Sequence, residues 1–168
     1  DVHGDVTSAR LGKRLFPEGE GLSKEDFLVV LGDFGLFWHT PRTPEERRCL
    51  RSLADRPWTT LFIDGNHENF DLLDALPTEE RWGAPVGVAA PGVYHLRRGF
   101  VYDVAGLSCF VFGGGRSVDK SVRTPGTDWW ERENPGPEER TLGLENLERH
   151  GWKVDLVWTH VAPTRACD

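Results

Sequence analysis

"FIDGNHENF", residues 62–70, places an amide, an imidazole and two carboxylates together at the end of an apolar run. The apolar residues before it, "TTLFIDGN" (59–66), predict a buried strand. A strand leaving a core needs only a short turn, and Asp-Gly would have been enough. Asn66, His67 and Glu68 therefore mark this strand end as a candidate functional site.

Two other apolar runs end on similar side chains. "FLVVLGD" (27–33) is typical of a strand covered on both faces and ends at Asp33. "VDLVWTH" (154–160) predicts another buried strand and ends at His160. "DVHG" (1–4) stands where a preceding strand would end. Because α/β sheets gather ligands beyond the carboxyl ends of their strands, we expect these segments to meet at one place.

Helices alternate with these strands. "TPEERRCLRSLADR" (43–56) predicts a helix with Thr43 as N-cap, Pro44 at the first position and Glu46 completing a capping box. "GPEERTLGLENLERHG" (136–151) predicts a second helix that stops at a glycine. The pattern indicates a layered α/β fold in which sheets are sandwiched by helices.

The middle of the chain is predicted to contain a meander and a loop. "VYHL", "FVYDVAG" and "LSCFVFGG" (93–114) read as consecutive strands, with Ala105-Gly106 as a tight connection. Residues 113–137 are rich in Gly and Pro and predict a long surface loop. Its Trp129-Trp130 pair either stacks on a substrate base or sugar or pins the loop to the core, and pinning is the commoner use.

Composition narrows the classes of function. The 168 residues fit one domain, and the formal charge of −7 argues against a nucleic-acid groove. No apolar run is long enough to span a membrane. The three cysteines (Cys49, Cys109, Cys167) are odd in number and far apart, which suits a reducing, cytoplasmic compartment. The chain starts with Asp and contains no Met, so we expect a fragment cut at both ends, and a signal peptide stays open.

The residues at the strand ends are suitable metal ligands. Asp1 and His3 are two apart, so an extended backbone points both the same way. Asp33 lies in "GDFG", where the glycines leave its carboxylate unobstructed to bridge. Asn66 offers an amide oxygen and His160 an imidazole nitrogen. Carboxylate, amide and imidazole without thiolate suit Mn, Fe or Zn rather than a structural thiolate zinc site.

In this order, "DVHG", "GDFG", "GNHE" and "THVAP" resemble the motifs of the calcineurin-like metallophosphoesterases. "TLFIDGNHENFD" and "FGGG" are similar to small bacterial and phage-type members. The resemblance implies a four-layer αββα sandwich over residues 1–168 and two divalent metal ions, with Mn favoured and Fe or Zn as alternatives. It implies that Asp1 and His3 bind the first metal, Asp33 bridges both, and Asn66 and His160 bind the second. His67 would face the substrate and stabilise or protonate the leaving oxygen.

The implied activity is hydrolysis of phosphate mono- or diesters, in which a metal-bridging hydroxide attacks phosphorus directly. Two cations would keep the site positive and favour a phosphorylated small molecule or a nucleotide, despite the acidic surface. A nucleic-acid or membrane partner is not expected. The family's downstream Gly-His-x-His segment, which adds one ligand to each metal, does not follow His160, so we expect the fragment itself to be inactive. The alternative function is a non-catalytic interaction or regulatory module.

The sequence departs from the family pattern near Asp33. Its "GDFGLFWH" lacks the arginine by which the protein phosphatases of the family hold phosphate, and Leu36 replaces the usual Asp partner of the catalytic histidine. A dedicated protein phosphatase is therefore not favoured. Arg116 in "GGGRSVDKSVR", with Lys120 and Arg123, is either a substrate contact or part of a solvated basic loop.

Three further groups of residues have structural as well as functional interpretations. Glu68 is either a residue that orients a metal ligand or an exposed charge. Asp64 is either a turn residue or such an orienting residue. The remaining histidines are expected to be structural or at the surface; these are His39, His95 and His150.

Overall fold

A computed structural model describes residues 2–4 and 11–162. The strands of this part are β1 (Phe27–Leu31), β2 (Thr59–Ile63), β3 (Thr78–Arg81), β4 (Ala84–Ala90), β5 (Val93–Leu96), β6 (Val101–Val104), β7 (Leu107–Phe112) and β8 (Leu156–Thr159). The helices are α1 (Pro44–Ala54), α2 (Phe70–Asp74) and α3 (Pro137–Arg149). Short 3₁₀ turns occur at Pro17–Gly21, Lys120–Val122 and Glu131–Glu133.

The strands form two sheets. The first has five strands in the order β1-β2-β5-β4-β3, in which β1, β2 and β5 are parallel and the other neighbours antiparallel. The second has three strands in the order β6-β7-β8, with β8 parallel to β7. The parallel pairs β1–β2 and β7–β8 bring the carboxyl ends of two strands together in each sheet, as a strand-end site requires.

The sheets stack face to face, with helices on both outer sides. Leu61 and Ile63 of β2 share one apolar cluster with Cys109 and Val111 of β7, so this core lies between the sheets. Phe62 of β2 points the other way, into a second cluster that contains leucines of α1 and α2. On the far side, α3 covers the second sheet at Gly143, whose backbone lies against Phe110 and Phe112. The predicted αββα layering is confirmed.

The helix termini follow from local sequence. At the start of α1, the Glu46 backbone N–H donates to Thr43 Oγ1 (3.1 Å), and the Thr43 N–H donates to Glu46 Oε2 (2.6 Å). This is the predicted capping box, with Pro44 at the first helical position. The second predicted helix is α3, and the chain leaves it through Gly151 at φ 63°.

The predicted meander at 93–114 is wrong in one strand. β5 lies in the five-stranded sheet between β2 and β4, whereas β6 and β7 form a hairpin in the other sheet. Ala105 and Gly106 make its tight turn, with φ values of 53° and 77°. Three apolar strands in sequence cannot show that a crossing between sheets follows the first. The hairpin β3–β4 was not predicted, because "TEER" has no apolar alternation and is exposed throughout.

The predicted burial of the strand at 154–160 is also wrong. Within the described part of the chain β8 is an edge strand, Leu156 is exposed, and Val157 is 60% exposed. The apolar composition is that of a covered strand, but no described element covers this edge. β1 is an edge strand as well, although its side chains reach both apolar clusters, through Val30 on one face and Val29 on the other.

Tryptophan side chains hold the long loop against the protein. Trp129 and Trp130 are both buried. The Trp130 indole N–H donates to Asp71 Oδ2 at 2.8 Å, and the Lys120 ammonium lies 4.0 Å from the centroid of the Trp129 ring. The pinning interpretation of this pair is confirmed. No helix in the described residues has the length and apolar character needed to cross a membrane.

A buried ion pair joins the end of β2 to the second half of the chain. Arg98 donates to Asp64 Oδ2 at 2.6 Å, and both side chains are almost fully buried. Arg98 also donates to the carbonyl oxygens of Arg132 (2.8 Å) and Glu133 (3.3 Å). Burial alone would raise the pKa of Asp64, but Arg98, with His95 beside it, holds that pKa below its ordinary value. Asp64 is therefore a structural charge that fixes the strand end carrying Asn66.

Arg98→Met should lower the free energy of unfolding by about 3–5 kcal/mol, because it leaves Asp64 buried without its counter-charge. Arg97→Met is the matched control. That neighbouring side chain is only half-buried and donates to Thr78 Oγ1 at 3.0 Å, so a loss of about 1 kcal/mol or less is expected. Urea unfolding of the metal-free protein measures both. Equal losses in the two variants would contradict a special role for the buried pair.

Candidate metal centre

Asp33 brings the first segment of the chain to the strand ends. It follows β1 with φ 49°, and its carbonyl oxygen accepts the backbone N–H groups of Val2 (3.1 Å) and His3 (2.7 Å). The Gly4 N–H donates to the Phe34 carbonyl at 2.9 Å. Residues 2–4 thus lie beside the end of β1, as the convergence of the motifs predicts.

The Asp33 carboxylate lies at the centre of the cluster. Its Oδ1 accepts the His67 backbone N–H at 2.9 Å and lies 3.5 Å from His160 Nε2. Its Oδ2 lies 3.5 Å from His3 Nε2. A Cβ at Gly65 would be 2.0 Å from Asp33 Oδ1, so only glycine permits this approach. The two oxygens face different imidazoles, which is the arrangement that a bridging carboxylate needs.

His160 points its Nε2 atom into this cluster. Its Nδ1 lies 2.8 Å from the Leu31 carbonyl, which can only accept, so Nδ1 carries a proton. In the neutral ring Nε2 is then an acceptor, and it faces Asn66 Oδ1 at 3.0 Å as well as Asp33 Oδ1. The two oxygens that face Nε2, Asn66 Oδ1 and Asp33 Oδ1, are both acceptors, so either a proton on Nε2 or a metal cation would stabilise this arrangement.

Asn66 is held by two residues that the sequence did not reveal. Its Nδ2 donates to Ser117 Oγ at 3.0 Å, and Ser117 Oγ donates to Glu133 Oε2 at 2.5 Å. The Ser117 backbone N–H donates to Glu133 Oε1 at 2.9 Å. Both lie in the Gly- and Pro-rich loop, more than fifty positions from Asn66. Their residue types are those of any surface loop, so no sequence signal identifies them.

His67 stands beside the cluster rather than within it. Its ring centroid is 5.5 Å from that of His3, and its backbone N–H donates to Asp33 Oδ1. Burial lowers the pKa of His67, and the positive charge of Arg123 lowers it further, against the opposing effect of Asp33. The imidazole is therefore neutral near pH 7 in the metal-free protein. A neutral, half-buried ring next to the donors fits a residue that faces a substrate.

Glu68 is buried directly behind the centre, so its interpretation as an exposed charge is wrong. The side chain is 1% exposed, and Oε1 accepts the Phe34 N–H at 2.7 Å. Oε2 has no hydrogen-bond partner among the described residues. Burial raises the pKa of Glu68 to about 8, and the charges of Asp64 and Asp33 act in the same direction. The folded metal-free protein therefore holds Glu68 largely protonated at neutral pH.

The remaining predicted residues are not among the described members of the cluster. Asp1 lies outside the described residues. The Arg116 side chain is exposed. His39 pairs with Glu46 at 3.2 Å, and His150 ends α3 with Nδ1 2.8 Å from the Asn146 carbonyl, in the surface and structural places expected of them. His95 is buried against Asp64 at 3.3 Å, which is also a structural role.

Within residues 2–4 and 11–162, no group of three or more His, Cys, Asp and Glu side chains is arranged so that it could hold a metal ion. The donors that meet there are of mixed type: the His3 and His160 imidazoles, the Asp33 carboxylate and the Asn66 amide. Oxygen and nitrogen donors of this kind suit divalent Mn, Fe or Zn. Their atoms lie 3.0–3.5 Å apart, and it is the chemical type of these side chains that fits a divalent cation. Their roles as metal ligands stay predictions.

Comparison with known proteins agrees with the motifs. The family model described as calcineurin-like phosphoesterase matches residues 1–167, almost the whole chain. The chain belongs to this family. Its members are phosphoesterase hydrolases that typically bind divalent metals. No curated protein and no solved structure gave a match.

The raised pKa of Glu68 predicts a pH-dependent stability in the metal-free protein. Between an ordinary value near 4.5 and the folded value of about 8, the folded state binds a proton that the unfolded state has lost. Stability therefore falls as pH rises from about 5 to about 8. Glu68→Gln removes this titration and keeps an oxygen for the Phe34 N–H. Relative to wild type, the free energy of unfolding of the variant should therefore increase by on the order of 4 kcal/mol between pH 5 and pH 8.

Urea unfolding at several pH values, with a chelator present, measures the difference. Glu45→Gln, at an exposed position of α1, is the matched control and should track the wild type. A Glu68→Gln advantage that is the same at pH 5 and pH 8 would contradict the raised pKa.

Proposed function

We propose that this protein is a dinuclear-metal-dependent hydrolase of phosphate mono- or diesters. The single observation that carries the proposal is the meeting of Asp33 Oδ1, Asn66 Oδ1 and His160 Nε2 at the strand ends. Family membership supports the reaction class. Mn is the favoured metal, Fe and Zn are the alternatives, and the proposed location is cytoplasmic.

Each donor would hold a cation on a defined side of Asp33. His3 faces Oδ2 and would serve the first metal, with Asp1 as its proposed partner. His160 and Asn66 face Oδ1 and would serve the second. When bound, the two cations would polarise the phosphoryl group and activate a water for in-line attack on phosphorus. The residues themselves fix the direction from which each donor approaches.

His67 is the proposed catalytic residue. Its ring lies next to that of His3, and its backbone N–H donates to Asp33 Oδ1, so the residue is held beside the donor cluster. In this position it would donate a hydrogen bond or a proton to the leaving oxygen. Leu36, buried where an acidic partner is usual, offers no carboxylate to raise the pKa of His67. A bound phosphate would supply that negative charge.

The loop and a neighbouring groove suggest how a substrate is held. Arg123 is close enough to lower the pKa of His67, and it is oriented by Asp119, 2.7 Å away. We propose it as a phosphate contact, alongside the predicted Arg116. A groove of about 690 Å³ adjoins His3 and is lined in part by Trp38. It would accept the organic part of a small phosphorylated molecule or a nucleotide.

Asp33→Asn should abolish Mn-dependent cleavage of a nitrophenyl phosphate ester by the full-length protein, because an amide cannot bridge two cations as a carboxylate does. The same variant should lose bound Mn in a metal analysis. Asp103→Asn, at an exposed position of β6, is the matched control and should keep both properties. Full activity in Asp33→Asn would contradict the proposed centre. Monoester and diester substrates tested in parallel show which class is preferred.

His67→Ala should lower turnover by about 10²–10⁴-fold, the usual contribution of a positioned proton donor. Its metal content should stay near that of wild type, because the ring is not proposed as a ligand. His150→Ala removes an exposed imidazole at the end of α3 and serves as the control. If His67→Ala instead strips the metal, the division of roles between Asn66 and His67 is wrong.

A further inference from the structure

We propose that Glu133 and Ser117 are positioning residues that orient the side-chain amide of Asn66. The chain of hydrogen bonds Glu133–Ser117–Asn66, here called the polar relay, decides which end of that amide faces the metal centre. The proposal rests on the proposed function in one respect only, namely that the Asn66 amide oxygen is a metal ligand. The orientation itself is a property of the metal-free protein.

The first step concerns the Ser117 hydroxyl proton. A carboxylate has lone pairs and no proton to give, so Glu133 can only accept. Its Oε1 accepts the Ser117 backbone N–H (2.9 Å) and its Oε2 accepts the Ser117 O–H (2.5 Å). Glu133 is 0% exposed and Ser117 is 4% exposed, so bulk water does not compete for these bonds. The hydroxyl proton is therefore committed to Glu133.

The second step concerns the amide. With its proton used, Ser117 Oγ has only lone pairs left to offer Asn66. Nδ2 of Asn66 can donate to them at 3.0 Å, whereas Oδ1 in the same place would meet another acceptor. The amide must therefore turn its nitrogen to Ser117 and its oxygen to His160. The buried Glu133 carboxylate thus selects the orientation of the Asn66 amide by acting through the Ser117 hydroxyl.

The third step is the consequence for a cation. An amide oxygen is a metal ligand, and an amide NH₂ is not. With Asn66 turned around, two N–H groups would point at the position between Asp33 and His160. Groups that orient a ligand in this way commonly affect metal affinity by about 10- to 100-fold. The relay therefore acts on affinity without contacting the metal.

The backbone around the relay keeps it in place. The Gly114 N–H donates to the Asp64 carbonyl (2.9 Å), and the Gly115 N–H donates to the Glu133 carbonyl (3.0 Å). A Cβ at Gly114, where φ is 87°, would be 2.4 Å from the Glu133 carbonyl oxygen. The glycines of "FGGG" thus let the loop carrying Ser117 approach the end of β2.

The test reverses the direction of the hydrogen bonds along the polar relay. Glu133→Gln keeps the shape, but one end of the side chain becomes an NH₂. With that NH₂ on Ser117 Oγ, the hydroxyl proton turns to Asn66 and the amide flips. Glu133→Gln should therefore weaken Mn²⁺ binding by about 10- to 100-fold. Glu131→Gln, exposed in the same turn, is the matched control and should change the affinity by less than about threefold, because exposed charge is screened.

Asn66→Asp provides a rescue that a merely structural role would not give. Alone, it puts an oxygen against the lone pairs of Ser117, and binding should weaken. In Asn66→Asp/Glu133→Gln, the new amide at position 133 donates to Ser117, and Ser117 donates to the new carboxylate, whose other oxygen faces the metal. The double variant should bind Mn²⁺ at least about tenfold more tightly than either single variant. Additive losses would overturn the proposal.

A second measurement needs no metal. In the metal-free protein, NMR cross-relaxation should connect the Asn66 Hδ2 protons with the Ser117 Hβ protons, and Glu133→Gln should abolish these signals. Their persistence in Glu133→Gln would overturn the relay even if the wild type bound no Mn²⁺. Failure of the full-length wild type to bind Mn²⁺, with the NMR result as expected, would support the relay and overturn the proposed function. The two ideas are thus separable.

Discussion

One carboxylate, that of Asp33, ties together the separate segments from which the site is built. Its oxygens face His3 on one side and His160 on the other, and one of them accepts the His67 N–H. Its own backbone carbonyl accepts the N–H groups of residues 2 and 3. Strand ends meet at this point only because Gly65 has no side chain, since a Cβ there would overlap Asp33. The position of the Asp33 carboxylate therefore restricts which residues the neighbouring strand end can carry.

Buried charge is concentrated behind this centre, where the two sheets end. Asp64 is balanced by Arg98, and Glu133 accepts hydrogen bonds from Ser117. Glu68 is balanced by no cation among the described residues and responds by holding its proton. Such groups cost free energy to bury, and a purely structural core would use apolar residues instead. Their presence at one edge fits a region that must orient polar donors and tolerate added positive charge.

Features that depend on short stretches of sequence could be predicted. The capping box of α1, the Ala105-Gly106 turn and the strand ends at Asp33 and Asn66 each depend on a few consecutive residues. Pairing between distant strands does not, and so β5 was assigned to the wrong sheet and β8 to the interior. An apolar run shows that a strand is suited to burial, but the elements packed against it in the fold determine whether it is buried.

The same distinction explains which site residues the sequence revealed. Donors that follow a strand are visible as motifs, whereas Ser117 and Glu133 come from a loop whose composition suggests only a surface turn. Their position depends on Trp130, buried against α2 through Asp71, and on the glycines that bring Ser117 to Asn66. A loop pinned by tryptophan thus does more than cover the protein. By holding Glu133 out of water it fixes one hydroxyl proton, and that proton determines which atom of Asn66 reaches the centre.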